Sequence, residues 1–315
     1  MPPAALTVPA RADILKAMEK ADRRSFVKYA GNPVLGGSLG TCFDVAVSGE
    51  PGRLRMDFSW RPRRALATVF SADGIRWNEP AVTLAANPGS GWEDEVNRNC
   101  VLKTGGKYRM WYTGQARDRS CIGYAESTDG LHFERLAEPV LVPEEPFEKD
   151  SVMNPCVLYE NGIYRMWYAA GETYEPNVIA YAQSADGIRW QKSPFNPIFG
   201  SEPRHPFEKD RVGGCQVVKT AEGYLMFYIG YEDIDTACVC LARSADGISG
   251  WQRYEGNPLL APDAGAWDAD SCYKPSVVWD EAGGRWLLWY NGRKGRDELI
   301  GFAFREGCQF FDTET

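Results

Sequence analysis

Five residues of unlike chemistry, Asp44, Arg98, Asn154, Gly214 and Lys274, fall in one column of a repeated pattern, in "TCFDVAV", "VNRNCVL", "VMNPCVL", "VGGCQVV" and "CYKPSVV". A column that changes at every repeat and stays mostly polar is not a packing position. Charges converging on one place need a ligand, water or ion between them, because burying them unpaired is costly. A second column is acidic: Asp94, Asp150, Asp210 and Asp270, in "WEDE", "FEKD", "FEKD" and "WDAD", with Gly40 in the first unit. Its repetition indicates a structural task, accepting backbone N–H bonds at a chain crossing, with individual members free to reach a pocket. Polar loops add Arg64, Arg117, Glu172, Glu232 and Arg293. Their cations, with Arg98 and Lys274, suit a hydroxyl-rich or anionic ligand, the alternative for the loop arginines being a solvated rim of ion pairs. His205 reads as a surface loop histidine.

These columns are positioned by an internal repeat. "SADGIRW" occupies 71–77 and 184–190, with "STDGLHF" at 127–133 and "SADGISGW" at 244–251, roughly 57 residues apart. A second phrase accompanies it: "RMDFSW", "RMWYTG", "RMWYAA", "LMFYIG" and "LLWYNG". Each unit reads as four short strands rich in β-branched and aromatic residues and punctuated by Gly, Asp and Asn, which is one propeller blade. Asp-Gly supplies the hairpin between the third and fourth strands, and the Trp or Phe after it packs between blades. The fifth unit lacks an outer strand, but "RSFVKYAGNPVL" (24–35) matches "SGWQRYEGNPLL" (249–260). Residues 25–30 therefore supply that strand and close the ring, leaving no open edge. The predicted fold is all-β: a five-bladed β-propeller spanning 24–315 as one domain, preceded by an extension (1–23) with a short amphipathic helix over 11–23.

The chain has 315 residues, a net charge of −8 and 11 Trp. That charge argues against a nucleic-acid or anionic-membrane partner. No apolar run reaches the length of a membrane span, and the N-terminus lacks the apolar region of a secretory signal. A cytoplasmic protein is expected. The nine cysteines form no C-x-x-C pair and read as small buried hydrophobes, not disulfides or a zinc site. Cys238 and Cys240 are expected on opposite faces of a strand. No motif calls for a metal or an organic cofactor.

The chain resembles the five-bladed propeller glycosidases, the superfamily of glycoside hydrolase families 43, 32 and 130. The resemblance covers about residues 24–305 and rests on the "GNPVL", "GNPLL" and "FNPIF" crossings, the "W/F-x-x-D…P-x-V" entries, "YRMWYTG" and "SADGIRW". It implies an active site at the axis, with Asp44 as base or nucleophile. Asn154-Pro155 falls where an Asp-Pro pair tunes the acid. The chain departs from family 43 at "VGGCQVV", where a Glu-Gly-Pro is expected. From family 32 it lacks the Asn-Asp-Pro and Glu-Cys motifs, and from family 130 it departs at "NRNC", where an Asp-Pro-Arg is expected. The general acid is thus not identified by resemblance.

Glycoside cleavage usually needs two carboxyl groups flanking the bond. Beside Asp44, the acid is sought first at Asp150 or Asp210, then at Glu232 or Glu172, and last at His205. Arg64, Asp94, Arg98, Asn154, Glu172, Lys274 and Arg293 are the substrate-binding candidates. The expected activity is an exo-acting glycoside hydrolase on a furanoside or mannoside-like oligosaccharide. The alternatives are a phosphorylase, with Arg98, Lys274 and the basic loops holding phosphate, and a non-catalytic sugar-binding propeller.

Overall fold

The computed structural model describes residues 25–50, 52–172, 174 and 176–311. The helix expected over 11–23 lies outside them. Blade 1 comprises β2 (Cys42–Glu50), β3 (Arg53–Trp60), β4 (Ala65–Ser71) and β5 (Ala81–Ala85). Blade 2 comprises β6 (Glu95–Thr104), β7 (Lys107–Ala116), β8 (Arg119–Ser127) and β9 (Glu134–Arg135). Blade 3 holds β10 (Ser151–Glu160), β11 (Ile163–Gly171) and β12 (Pro176–Ser184), edged by the short β13 (Gln191–Lys192) and β14 (Phe199–Gly200). Blade 4 is β15 (Arg211–Thr220), β16 (Gly223–Tyr231), β17 (Ala237–Ser244) and β18 (Gln252–Arg253). Blade 5 is β19 (Ser271–Asp280), β20 (Arg285–Lys294) and β21 (Asp297–Glu306). Its outer strand is β1 (Val27–Lys28), paired antiparallel to β21 with Val27 opposite Phe304. The first described strand thus completes the last blade, as the matched sequences require, and blade 5 packs on blade 1 through β19, β20 and β2.

The repeated phrases prove to be seams. In Ser71-Ala-Asp73-Gly74, Asp73 Oδ1 accepts the N–H groups of Ile75 (3.0 Å) and Arg76 (2.8 Å). Gly74, at φ +76°, sits so close to Trp289 of blade 5 that a Cβ would lie 2.6 Å from its ring. The Trp289 indole donates to Gly74 O at 2.8 Å, Trp111 to Gly187 O at 2.8 Å and Trp167 to Gly247 O at 2.7 Å. All three indoles are fully buried. Each joins one blade to the turn of the next. Blade 5 has no such turn, and Phe310 fills the space instead, 5.7 Å from Phe227 and 5.9 Å from Trp286, ring centre to ring centre.

A second repeated device ties four of the crossings, those into blades 2 to 5, to their blades. Glu93, Glu148, Glu208 and Asp268 have no exposed surface. Each accepts a tyrosine hydroxyl from the second strand: Tyr112 at 2.6 Å, Tyr168 at 2.8 Å, Tyr228, and Tyr290 at 3.0 Å. Each also meets a cation from an outer strand, namely Arg135, Lys192, Arg253 and Lys28. A structural task therefore falls to these acids and not to the column one or two residues later, and it is met by hydroxyls and cations, with backbone N–H groups accepted by Glu148 and Glu208. Asp150 and Asp210 are exposed, and of that column Asp270 accepts a backbone N–H, from Gly295 at 2.6 Å. Glu148 and Glu208 end the 3-10 turns Pro146–Glu148 and Pro206–Glu208 and are buried there, whereas the aspartates two residues later are exposed.

No cysteine among the described residues is in a disulfide. Cys238 and Cys240 share a face, contrary to expectation, with sulfurs 3.7 Å apart. Side chains two apart on a strand point the same way.

Candidate active site

Each innermost strand carries an extra residue where it starts at the axis. The β2–β3 register slips between Phe43 and Ala46, β6–β7 between Asn97 and Cys100, β10–β11 between Met153 and Cys156, and β19–β20 between Tyr273 and Ser276. Four residues of the unlike column stand on these bulges with positive φ: Asp44 (56°), Arg98 (52°), Asn154 (53°) and Lys274 (50°). For non-glycine residues that conformation costs about 1–3 kcal/mol each, and it persists where the surroundings over-determine it. The previous blade supplies the support. Ser59 Oγ accepts the Arg98 N–H (3.2 Å), Thr113 Oγ1 the Asn154 N–H (3.1 Å), and Asn291 Oδ1 the Val45 N–H (3.3 Å). Glycine occupies the fifth position because a Cβ on Gly214 would lie 2.6 Å from the Asn154 side chain.

The bulges aim these groups into one axial cavity of about 310 Å³, lined by Asp44, Arg98, Asn154 and Lys274. Asp44, Asn154 and Lys274 are buried. Arg98 Nε stands 3.9 Å from Asp44 Oδ1, and Ser59 Oγ donates to Asp44 Oδ2 at 3.2 Å. Asn154 Oδ1 has no hydrogen-bond partner among the described residues, and Lys274 makes no ion pair with any of them. Asn154 thus brings a buried amide oxygen, and Lys274 a buried cation, to the lining of a polar cavity, where a polar ligand can satisfy them.

Arg293, from the sequence-derived set, also lines the cavity. Arg61, Asp235 and Glu298 join it without having been singled out, although all three lie in the polar loops read above. Arg61 pairs with Glu298 (2.7 Å) and Arg293 with Asp235 (3.3 Å). Asp150, Asp210, Glu172 and Glu232 are exposed and lie outside the lining. Glu172 pairs with Arg211 (2.9 Å) and Lys149 (3.2 Å), which hold its carboxyl below the usual range. Arg64 bonds Glu95 (2.8 Å) and the Asp94 carbonyl, and neither Arg64 nor Asp94 reaches the cavity. His205 stacks on Phe207 with ring centres 5.3 Å apart, also outside it.

Below the bulges lies a smaller axial cavity of about 160 Å³ that shares Lys274 and is lined by Cys100, Cys156 and Cys215. Burial pushes these three thiols up to about 12. They are not nucleophiles at neutral pH. Cys100 and Cys156 instead accept the N–H groups of Val157 (3.3 Å) and Val217 (3.2 Å) in the next blade, bracing the inner ring. No group of three or more His, Cys, Asp or Glu among the described residues could hold a metal, and no helix among them is long and apolar enough to cross a membrane.

A five-bladed ring whose axis presents a buried carboxylate beside convergent cations is the frame of a propeller-fold enzyme, and its family acts on glycosides. The chain belongs to glycoside hydrolase family 130, whose model, described as beta-1,4-mannooligosaccharide phosphorylase, matches residues 101–312. An uncharacterized protein of Mycobacterium tuberculosis is 26% identical over 283 residues, covering 85% of this chain and 90% of that protein. A 1,2-beta-oligomannan phosphorylase of Thermoanaerobacter sp. is 27% identical over 154 residues, 48% of this chain and 46% of its own length. The structure of beta-1,2-mannobiose phosphorylase from Listeria innocua with beta-1,2-mannobiose superposes with a TM-score of 0.68 at 15% identity, covering 89% of this chain and 96% of that one.

Proposed function

We propose that this chain is a phosphorylase of β-linked mannosides, cleaving a terminal mannosyl unit with inorganic phosphate. The observation that carries the reading is the charge of the cavity lining. Asp44 is the deeply buried carboxylate of the lining, with Arg98 Nε 3.9 Å away, and Lys274, Arg61 and Arg293 line the same cavity. A hydrolase of the usual kind needs a second carboxylate to activate water. A phosphorylase replaces it with phosphate, which these cations would hold. A phosphate oxygen attacks the anomeric carbon as the glycosidic C–O bond breaks, and the leaving oxygen takes its proton from the acid form of the Asp44 carboxyl, which a proton from solvent then restores. Asn154 would fix a sugar hydroxyl through its unpartnered amide oxygen. Family membership supports the mannosyl part of the reading. The free, mostly buried cysteines suit the reducing cytoplasm, where we place the protein.

Hydrolysis is the second reading, favoured by Glu298, whose carboxylate lines the same cavity. Incubation of β-mannobiose isomers with and without phosphate separates the two. Mannose 1-phosphate formed only with phosphate is the expected result, whereas equal mannose release in phosphate-free buffer would assign hydrolysis.

A further inference from the structure

The mouth of the cavity is unlike its floor. Among the described residues seven large apolar side chains stand exposed, and two of them, Tyr174 (63% exposed) and Ile234 (50%), line this one cavity. They come from neighbouring blades, in the loops between β11 and β12 and between β16 and β17. Both are anchored. The Tyr174 hydroxyl donates to Asp118 Oδ1 of blade 2 at 3.2 Å, and its carbonyl accepts from Arg98 Nη2 at 3.4 Å, which puts the residue directly above the charged floor. Ile234 sits in a turn held by Asp233, whose Oδ1 accepts the N–H groups of Asp235 (2.9 Å) and Thr236 (2.8 Å). Two exposed apolar side chains at the mouth of one polar cavity offer a contact surface that an apolar ligand face can cover favourably.

We propose that Tyr174 and Ile234 form an apolar lip that binds the C–H face of the leaving sugar and sets the preference for a saccharide leaving group. This rests on the glycoside-cleaving reading of the cavity below. A pyranose ring presents such an apolar face, and a tyrosine ring offers a flat, rigid surface for it at little entropic cost. The inner cavity would hold the mannosyl unit through hydroxyls and charge, while the lip holds the next ring through contact. The lip therefore acts on substrate affinity and leaves the reacting atoms alone.

The test compares wild type with Tyr174→Ala, Tyr174→Phe and Ile234→Ser. For β-mannobiose with phosphate, Tyr174→Ala should raise KM about tenfold with little change in kcat, and Ile234→Ser should raise it severalfold. Tyr174→Phe, which keeps the ring and loses the bond to Asp118, should stay within about twofold of wild type. The KM for phosphate and the Kd for free mannose should not move. A Tyr174→Ala loss shared equally by mannose and mannobiose, or failure of Phe to restore KM, overturns the lip. If wild type turns over no mannobiose, the functional reading fails separately, and the lip is judged by calorimetric binding of disaccharide against monosaccharide. A preference that falls in Tyr174→Ala upholds it, and an unchanged preference rejects it.

Discussion

Asp44 and Arg98 face each other across the seam between blades 1 and 2, and one hydroxyl serves both: Ser59 Oγ donates to Asp44 Oδ2 and accepts the Arg98 N–H, each at 3.2 Å. The carboxylate and the cation belong to different blades, so their spacing is set by how the blades pack. Ser59→Ala removes both bonds at once. We expect a loss of about 1–2 kcal/mol in stability and at least a tenfold fall in kcat/KM as the pair loses its alignment. Full activity in a folded Ser59→Ala protein would show that the bridge does not position the site.

The turn glycines carry the seams. Gly74→Ala puts a Cβ 2.6 Å from the Trp289 ring at a φ of +76°, and about 3 kcal/mol of stability should be lost. Denaturant titration measures it. A change under 0.5 kcal/mol would mean that the seam yields freely.

Acid sensitivity should trace to the buried crossings. Burial raises the Glu148 carboxyl, but the N–H groups of Glu144 and Glu145, with Lys192 and Tyr168, outweigh burial and hold it below 4.5. A depressed folded value means that the contribution is fully present above pH 4.5 and lost as pH falls through the folded value. The Tm of wild type should therefore drop more steeply than that of Glu148→Gln between pH 5 and pH 3. Parallel curves would remove Glu148 from the linkage.

The thiols make the opposite prediction. Burial lifts Cys42, Cys100, Cys156 and Cys215 from 9.0 to about 12. Because the folded value is raised, their contribution is intact below pH 9 and is lost as pH climbs toward 12. At pH 8 one thiol, the exposed Cys308, should react rapidly with a disulfide reagent, and all nine should react in denaturant. Several fast thiols in the native protein would contradict the packing described for the ring.

The ring was legible because each strand's alternation and each Asp-Gly turn recur in register, and a repeat shows its own exceptions. Asp57 is one: it stands where the other blades place Trp or Phe, and it forms a buried pair with Arg55 at 2.7 Å. The unlike column was legible for the same reason, since Asp44, Arg98, Asn154 and Lys274 differ where scaffold residues agree. The flanking acids were not. Whether Glu148 or Asp150 turns inward depends on one 3-10 turn, which spacing alone does not reveal. Asp235 and Glu298 reach the cavity because neighbouring loops lean over the axis, a tertiary relation that no single unit contains. Glu172 and Glu232 sit in the same class of loop and stay in solvent.

The claim at the centre is that Asp44, held on a strained bulge at the axis, performs the chemistry. Its direct test is kcat of Asp44→Asn on the best β-mannobiose isomer with phosphate, alongside thermal unfolding to show that the fold is kept. The account expects kcat to fall by about 10³-fold or more with Tm close to wild type. Turnover within tenfold of wild type in a folded Asp44→Asn protein would contradict it.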